Sequence, residues 1–346
     1  QGFVCLLIIL SYFIIYFSSV LYSISLEFWK EKILGMLLSI FALIGPIFFL
    51  REQRHFDFFN RAILFLMFLA SMILLGFYLT GTLDYFIYQG VGSGNDNSES
   101  LIPDYLVVGS IMCIGILITL HQRNPYLYLL SGLSLFCILL IGSRGPLLFL
   151  IISSIFLILL LKNKVSSPFK GLKKIYKTSL KVIFSFTAIS FLFYFGFQEG
   201  GADSTLARTV NTFNDMEELK QTFRVEEFVI AFDVIRTYPF FGVGVGGYGL
   251  EAYDMDGNIY PHNLILESAA ELGLFSILIF ILGLFSVFYL TFKSRSDTYI
   301  CLYISILLFE LLNYMKSGGF ISSRDLYLFI GVLLARYEFA RKLQES

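Results

Sequence analysis

Residues 261–291 read PHNLILESAAELGLFSILIFILGLFSVFYLT. From position 263 the stretch is predominantly apolar, and as a helix it is long enough to cross the roughly 30 Å hydrocarbon core of a bilayer. It does not alternate apolar with polar residues, which excludes a barrel strand. Comparable runs recur on both sides of it, near 2–23, 33–50, 61–80, 105–120, 126–142, 146–161, 180–197, 298–315 and 325–340. The 346-residue chain is 57% hydrophobic and only 15% charged, with a mean hydropathy of +0.76. Soluble domains carry about 25% charged residues. The expected fold is therefore all-α, a polytopic helical membrane protein of about ten spans. Its domain plan is about seven spans in 1–197, one large external loop in 198–261 and about three spans in 262–346.

Cys5, Cys113, Cys137 and Cys301 all fall in apolar segments, without ligand spacing, and read as small core hydrophobes. The formal net charge of −1 points to no class of partner. Gln rather than Met at position 1 suggests a preceding N-terminal piece. A cleaved signal peptide is the weaker expectation, because the chain runs straight into an apolar span. Orientation follows from the loops. Placing 51–61, 121–125, 162–181, 293–297 and the tail from Arg336 in the cytoplasm puts 16 of the 25 Lys and Arg inside. Four of the other nine, Arg208, Lys220, Arg224 and Arg236, sit in the long 198–261 loop, which escapes the positive-inside rule. Both ends are then cytoplasmic, and His262 faces the periplasm or cell exterior.

The external loops differ in kind. Residues 81–104 carry no Lys or Arg and read as a flexible acidic loop. Residues 222–236 read as an amphipathic helix, with Phe223, Phe228, Val229, Phe232 and Ile235 on one face and Arg224, Glu227 and Asp233 elsewhere. Tyr238-Pro239 ends it, and the glycine cluster 242–249 follows as a tight turn.

Within this frame a few residues carry candidate chemistry. His55 and His121 lie in cytoplasmic loops and read as solvated. His262 stands where the arginine-bearing loop re-enters the membrane. It is either a boundary residue bonded locally or a base kept neutral by the positive end of the following helix. Arg144, in a short turn between two spans, either snorkels or binds an anion, with Pro146 leaving free N–H groups at the same helix start. Arg224 opens the amphipathic helix. Arg208 and Arg236 share its loop and read equally well as surface residues. Forked guanidinium donors suit pyrophosphate. Glu267 and Glu271 lie on one face of the span after His262, either as functional acids or as an ion pair with an arginine of another helix; Tyr248 is a possible supporting residue. For Glu310 and Arg336 structural pairing is expected. A base, fixed cations and a lipid boundary together suggest chemistry on a lipid-linked anion.

Three motif matches fail on context. Gly242, Gly244 and Gly247 have dinucleotide-fingerprint spacing but no βαβ unit around them. Asp254-Met255-Asp256-Gly257 starts like a calcium loop, but its twelfth position is Ile265 and not glutamate. The same Asp-Met-Asp has no soluble α/β domain to make it a nucleotide-sugar site. No Cys/His metal cluster and no nucleic-acid-binding pattern is present in the sequence.

Ser143-Arg144-Gly145, Arg224, Pro239-Phe240-Phe241-Gly242-Val243-Gly244, His262-Asn263, Glu267 and Glu271-Leu272-Gly273 occur in that order over about 140–290. Together they resemble the core of the bacterial O-antigen polymerase and O-antigen ligase family. The resemblance implies a GT-C-like membrane glycosyltransferase of the bacterial inner membrane. Its substrate would be an undecaprenyl-pyrophosphate-linked oligosaccharide at the periplasmic face, with no metal, no cofactor and no nucleic acid. Membrane lipid, and a chain-length regulator protein, are the other implied partners. Arg144 and Arg224, with Arg208 beside them, would hold the pyrophosphate. His262 would activate the acceptor hydroxyl. Glu267, Glu271, Arg236 and Tyr248 would support the site. The chain departs from the family in span number, where about twelve or more are usual. Polymerase is the preferred activity and ligase the alternative. A lipid-oligosaccharide flippase is the alternative from another class, disfavoured because no repeats or matched broken helices are visible.

Overall fold

In the computed structural model the described residues are 2–82, 105–141, 144–162, 223–319 and 323–345. All regular structure among them is helical, and the protein is a polytopic helical membrane protein. The helices are α1 (Gly2–Ser18), α2 (Trp29–Phe49), α3 (Gln53–Leu79), α4 (Tyr105–Gln122), α5 (Pro125–Leu140), α6 (Arg144–Lys162), α7 (Phe223–Thr237), α8 (Tyr248–Tyr253), α9 (Leu264–Lys293), α10 (Thr298–Ser317) and α11 (Arg324–Glu345). Five have the length and composition to cross a membrane: α1 with its 3₁₀ extension to Tyr22, α2, α3, α9 and α10. Shorter apolar helices lie within α4, α5 and α6. The span expected at 180–197, residues 83–104 of the acidic loop and Arg208 lie outside the described residues.

Two compact units share the chain. One comprises residues 1–55 and 216–346, the other 56–215. In the second unit, α3 meets α5 through the Ser71 and Ser134 hydroxyls, 2.8 Å apart, and α4 meets α5 through Thr119 and Ser131 at 2.5 Å. Hydroxyl pairs of this kind tie helices together where no water competes.

The first unit holds His262. Its α1 lies on α9, where the Tyr12 ring sits 5.1 Å from Phe280 and the Tyr12 hydroxyl is 3.2 Å from Ser268 Oγ. At one end, Arg336 of α11 donates from Nε to Asp297 at 2.9 Å and from Nη1 to Gln53 at 2.6 Å, while Asp297 caps α10. That is the structural pairing expected of Arg336. Glu310 is buried on α10.

The decisive element is α9, which is broken. Gly273 adopts φ 78° and ψ 172°, a conformation open in practice only to glycine. A Cβ there would come within 2.1 Å of the Phe240 carbonyl oxygen. The break strips the helix of bonds that Pro239 and the glycine cluster then supply. Val243 N–H donates to Ala270 O at 3.0 Å, Gly244 N–H to Glu271 O at 2.8 Å, and Leu274 N–H to Pro239 O at 2.9 Å. Unpaired backbone at membrane depth would cost several kcal/mol per group, so a broken span survives only when protein fills the gap. Gly244, at φ +82°, fits against Ser23 with no room for a side chain. The cluster read from sequence as a turn is thus the cover of a helix break.

The α7 helix forms within one residue of the expected limits but turns a different face inward. Glu227, Ala231 and Val234 are buried, whereas Val229 and Phe232 are exposed. The inward face packs closely on Val243, Tyr248 and Ala270, where a small residue such as Ala231 fits. The expectation placed bulk inside, but here much of the bulk faces outward.

Candidate functional site

Asn263 organises the start of α9. Its side-chain oxygen accepts from Ile265 and Leu266 N–H at 3.0 Å each, the geometry of an N-cap. Its Nδ2 donates to Met315 O at the end of α10 at 2.7 Å. His262 precedes this cap in a left-handed conformation, φ 47°, which His adopts more readily than most residues. Its side chain is 35% exposed, so it faces a boundary and not the core. The Tyr260 ring lies 4.6 Å from the imidazole. Nε2 lies 3.8 Å from Glu227 Oε1, on a side chain almost wholly buried in α7.

One turn beyond the cap, Glu267 points into the protein, and Glu271 follows a turn later. Both reach Lys32 of α2, whose Nζ is 2.5 Å from Glu267 and 2.6 Å from Glu271. All three side chains are at most 1% exposed. The pairing partner is therefore a lysine, Lys32 of α2, and not the arginine anticipated. Lys32 is occupied by carboxylates and is not offered to an anion.

Asp256 joins another pair of segments. It accepts from Ser25 Oγ at 2.6 Å, Leu26 N–H at 2.8 Å and Glu27 N–H at 2.7 Å. Burial alone would raise its pKa, but these donated bonds outweigh it and hold the carboxyl below the usual aspartate range. The Asp-Met-Asp stretch is a latch on the segment before α2. Tyr248 is fully buried and donates to the Glu227 carbonyl oxygen at 3.4 Å. Burial pushes its hydroxyl up, so it stays protonated and braces α7.

The other anticipated residues divide. Arg236 is exposed, 4.0 Å from Asp233 on its own helix. Arg224 lies one turn before Glu227 on α7, and Arg144 opens α6 in the other unit; the side chains of both lie outside the described residues, as does all of Arg208. The structure thus brings together His262, Glu267 and Glu271 with two residues that sequence reasoning passed over, Glu227 and Lys32. The signal for Lys32 was available: it stands in the first turn of an apolar run that would have to bury it. Among the described residues no group of three or more His, Cys, Asp or Glu is placed to hold a metal ion.

Residues 129–281 match the family model described as O-antigen ligase. The match covers less than half of the chain. It contains α7, the glycine loop, His262 and the half-helix up to Gly273, along with Arg144 and Arg224. The resemblance drawn from the short motifs thus stands on this region. No curated protein matches the chain.

Proposed function

We propose that this chain is an O-antigen polymerase. It transfers a glycan carried on undecaprenyl pyrophosphate to a hydroxyl of a second lipid-linked repeat unit, at the periplasmic face of the bacterial inner membrane. The observation that carries this reading is His262: a half-exposed imidazole at a loop–membrane boundary, held by Asn263, Tyr260 and Glu227, inside the region that matches the O-antigen ligase model.

In the reaction the acceptor O–H bond breaks, its electron pair forms the new bond to the anomeric carbon, and the carbon–oxygen bond to pyrophosphate breaks. His262 takes the proton, and Arg144 and Arg224 offset the charge building on the leaving pyrophosphate. In-line attack inverts the anomeric centre. The buried Lys32 with its two glutamates sets the floor beneath His262 and takes no part in the chemistry. A GT-C-like arrangement fits the helical fold with its catalytic groups at loop–membrane junctions.

Ligase is the second reading, favoured by the description of the matching family model. Deleting the chain separates the two. Lipopolysaccharide limited to a single repeat indicates polymerase, whereas bare core with lipid-linked polymer indicates ligase. His262→Ala tests the shared chemistry: polymer ladders should fall by about 10²-fold or more, and near-normal ladders would refute the base assignment.

A further inference from the structure

We infer that Glu227 is the positioning residue of His262: it keeps the imidazole N–H on Nε2 and leaves Nδ1 as the nitrogen that receives the acceptor proton. The inference rests on the reading of His262 as the base and adds the direction in which that base works.

The geometry carries it. Glu227 is 3% exposed, on a helix face otherwise formed by Ala231 and Val234. A carboxylate in such a place requires a donor or a positive charge nearby. His262 Nε2 stands 3.8 Å from Oε1, about 0.8 Å beyond a hydrogen bond, and such contacts often tighten only when substrate is bound. Both partners are braced. Tyr248 holds the Glu227 backbone through its carbonyl, Asn263, the residue after the histidine, is fixed as the cap of α9, and Tyr260 covers the ring. An imidazole whose Nε2 faces a carboxylate carries its proton there, which defines the tautomer.

The proton balance is closed. The hydroxyl proton moves to Nδ1 and the lipid pyrophosphate leaves with the electron pair of the broken bond. The resulting imidazolium is stabilised through Nε2–H by the Glu227 carboxylate until Nδ1 returns its proton to solvent. The surrounding ionisable groups are Tyr260 on the same segment, Glu226 on α7, Tyr248 and Tyr253 on α8, Lys316 at the end of α10, and the Lys32–Glu267–Glu271 cluster below. Burial keeps Tyr248 and Tyr253 neutral, and Lys32 is held by its own carboxylates. Glu227 is the acid whose removal should act on His262 directly.

The test uses the full chain in nanodiscs and lipid-linked repeat units extracted from a strain lacking it. Glu227→Gln keeps shape and an acceptor oxygen but removes the charge. Its kcat should fall at least about tenfold with KM within about twofold, and the acidic limb of its pH–rate profile should move to lower pH by about 0.5–1 unit. Glu227→Asp, which keeps the charge, should leave the limb in place. Carbethoxylation of His262 by diethyl pyrocarbonate, followed by mass spectrometry, reads the same shift without turnover and serves for any variant that binds no substrate. An unchanged limb and an unchanged modification profile in Glu227→Gln overturn the inference. Should Glu227→Gln not fold, Glu227→Ala decides through its modification profile: a midpoint moved to lower pH supports the pairing and one kept at the wild-type pH refutes it. If His262→Ala stays active, the base reading fails first. If His262→Ala is inactive while Glu227→Gln matches wild type, this inference alone fails.

Discussion

Residues 264–272 and 274–293 are one run of sequence and one helix in outline, yet they face different surroundings. In the first segment Leu264, Glu267, Ser268, Ala269, Ala270, Glu271 and Leu272 are all buried. In the second, Leu274, Phe275, Leu278, Ile281, Leu282, Phe285 and Tyr289 are exposed, as lipid-facing side chains must be. The second segment is about 30 Å long and spans the bilayer by itself. The first, at about 13 Å, spans nothing; it carries two carboxylates and presents His262. The comparison teaches that this helix is a membrane anchor with a protein-solvated head, and that Gly273 is the boundary between the two.

Gly273→Val attacks the boundary itself. It combines a forbidden backbone conformation with a clash against Phe240, and should cost at least about 3 kcal/mol. Size-exclusion profiles in detergent should show loss of monodisperse protein, and a wild-type profile would mean that the break is not required. Lys32→Met leaves two carboxylates buried without their cation, at about 3–5 kcal/mol. Adding Glu267→Gln and Glu271→Gln should recover most of the melting temperature, which a purely steric role of Lys32 would not allow.

A smaller effect is expected at Asp256. Its folded-state pKa is held below the unfolded value, so its contribution is complete above about pH 4 and is lost as pH falls through the folded pKa. Hydrogen-exchange protection at 25–27, corrected for intrinsic rates, should be flat from pH 7 to 5 and drop only in stronger acid. Asp256→Asn should cost about 1 kcal/mol at neutral pH. Smallest of all, Phe285→Leu on the lipid face should change stability by less than about 0.5 kcal/mol, whereas the same change at buried Phe280 should exceed it.

Five of the expected spans were legible because length and hydropathy alone decide whether a helix can cross a bilayer; 105–120, 126–142 and 146–161 form shorter apolar helices, and the helix over 325–340, α11, is not among those long and apolar enough. His262, Glu267 and Glu271 were legible because a titratable group at a membrane boundary is rare enough to stand out. The break at Gly273 was not, since one glycine in an apolar run has no signature until the loop that completes its hydrogen bonds is located. Nor was the inward face of α7. Periodicity places large apolar residues inside, and a helix with a close-packed inner face and an apolar exterior inverts that rule for Val229 and Phe232. Lys32 was counted as a loop charge because its two partners lie more than 230 positions away.

The latch at Asp256 has a consequence in time. Ser25 is separated from it by 231 positions. At about 5–20 residues per second, a ribosome needs roughly 10–50 s to get from one to the other. Throughout that interval the link between the first two helices is in the membrane without its carboxylate. The latch therefore closes only after that interval, and a ribosome stalled before the Asp256 codon would hold a chain whose first two helices are made but whose 25–27 link is unfastened.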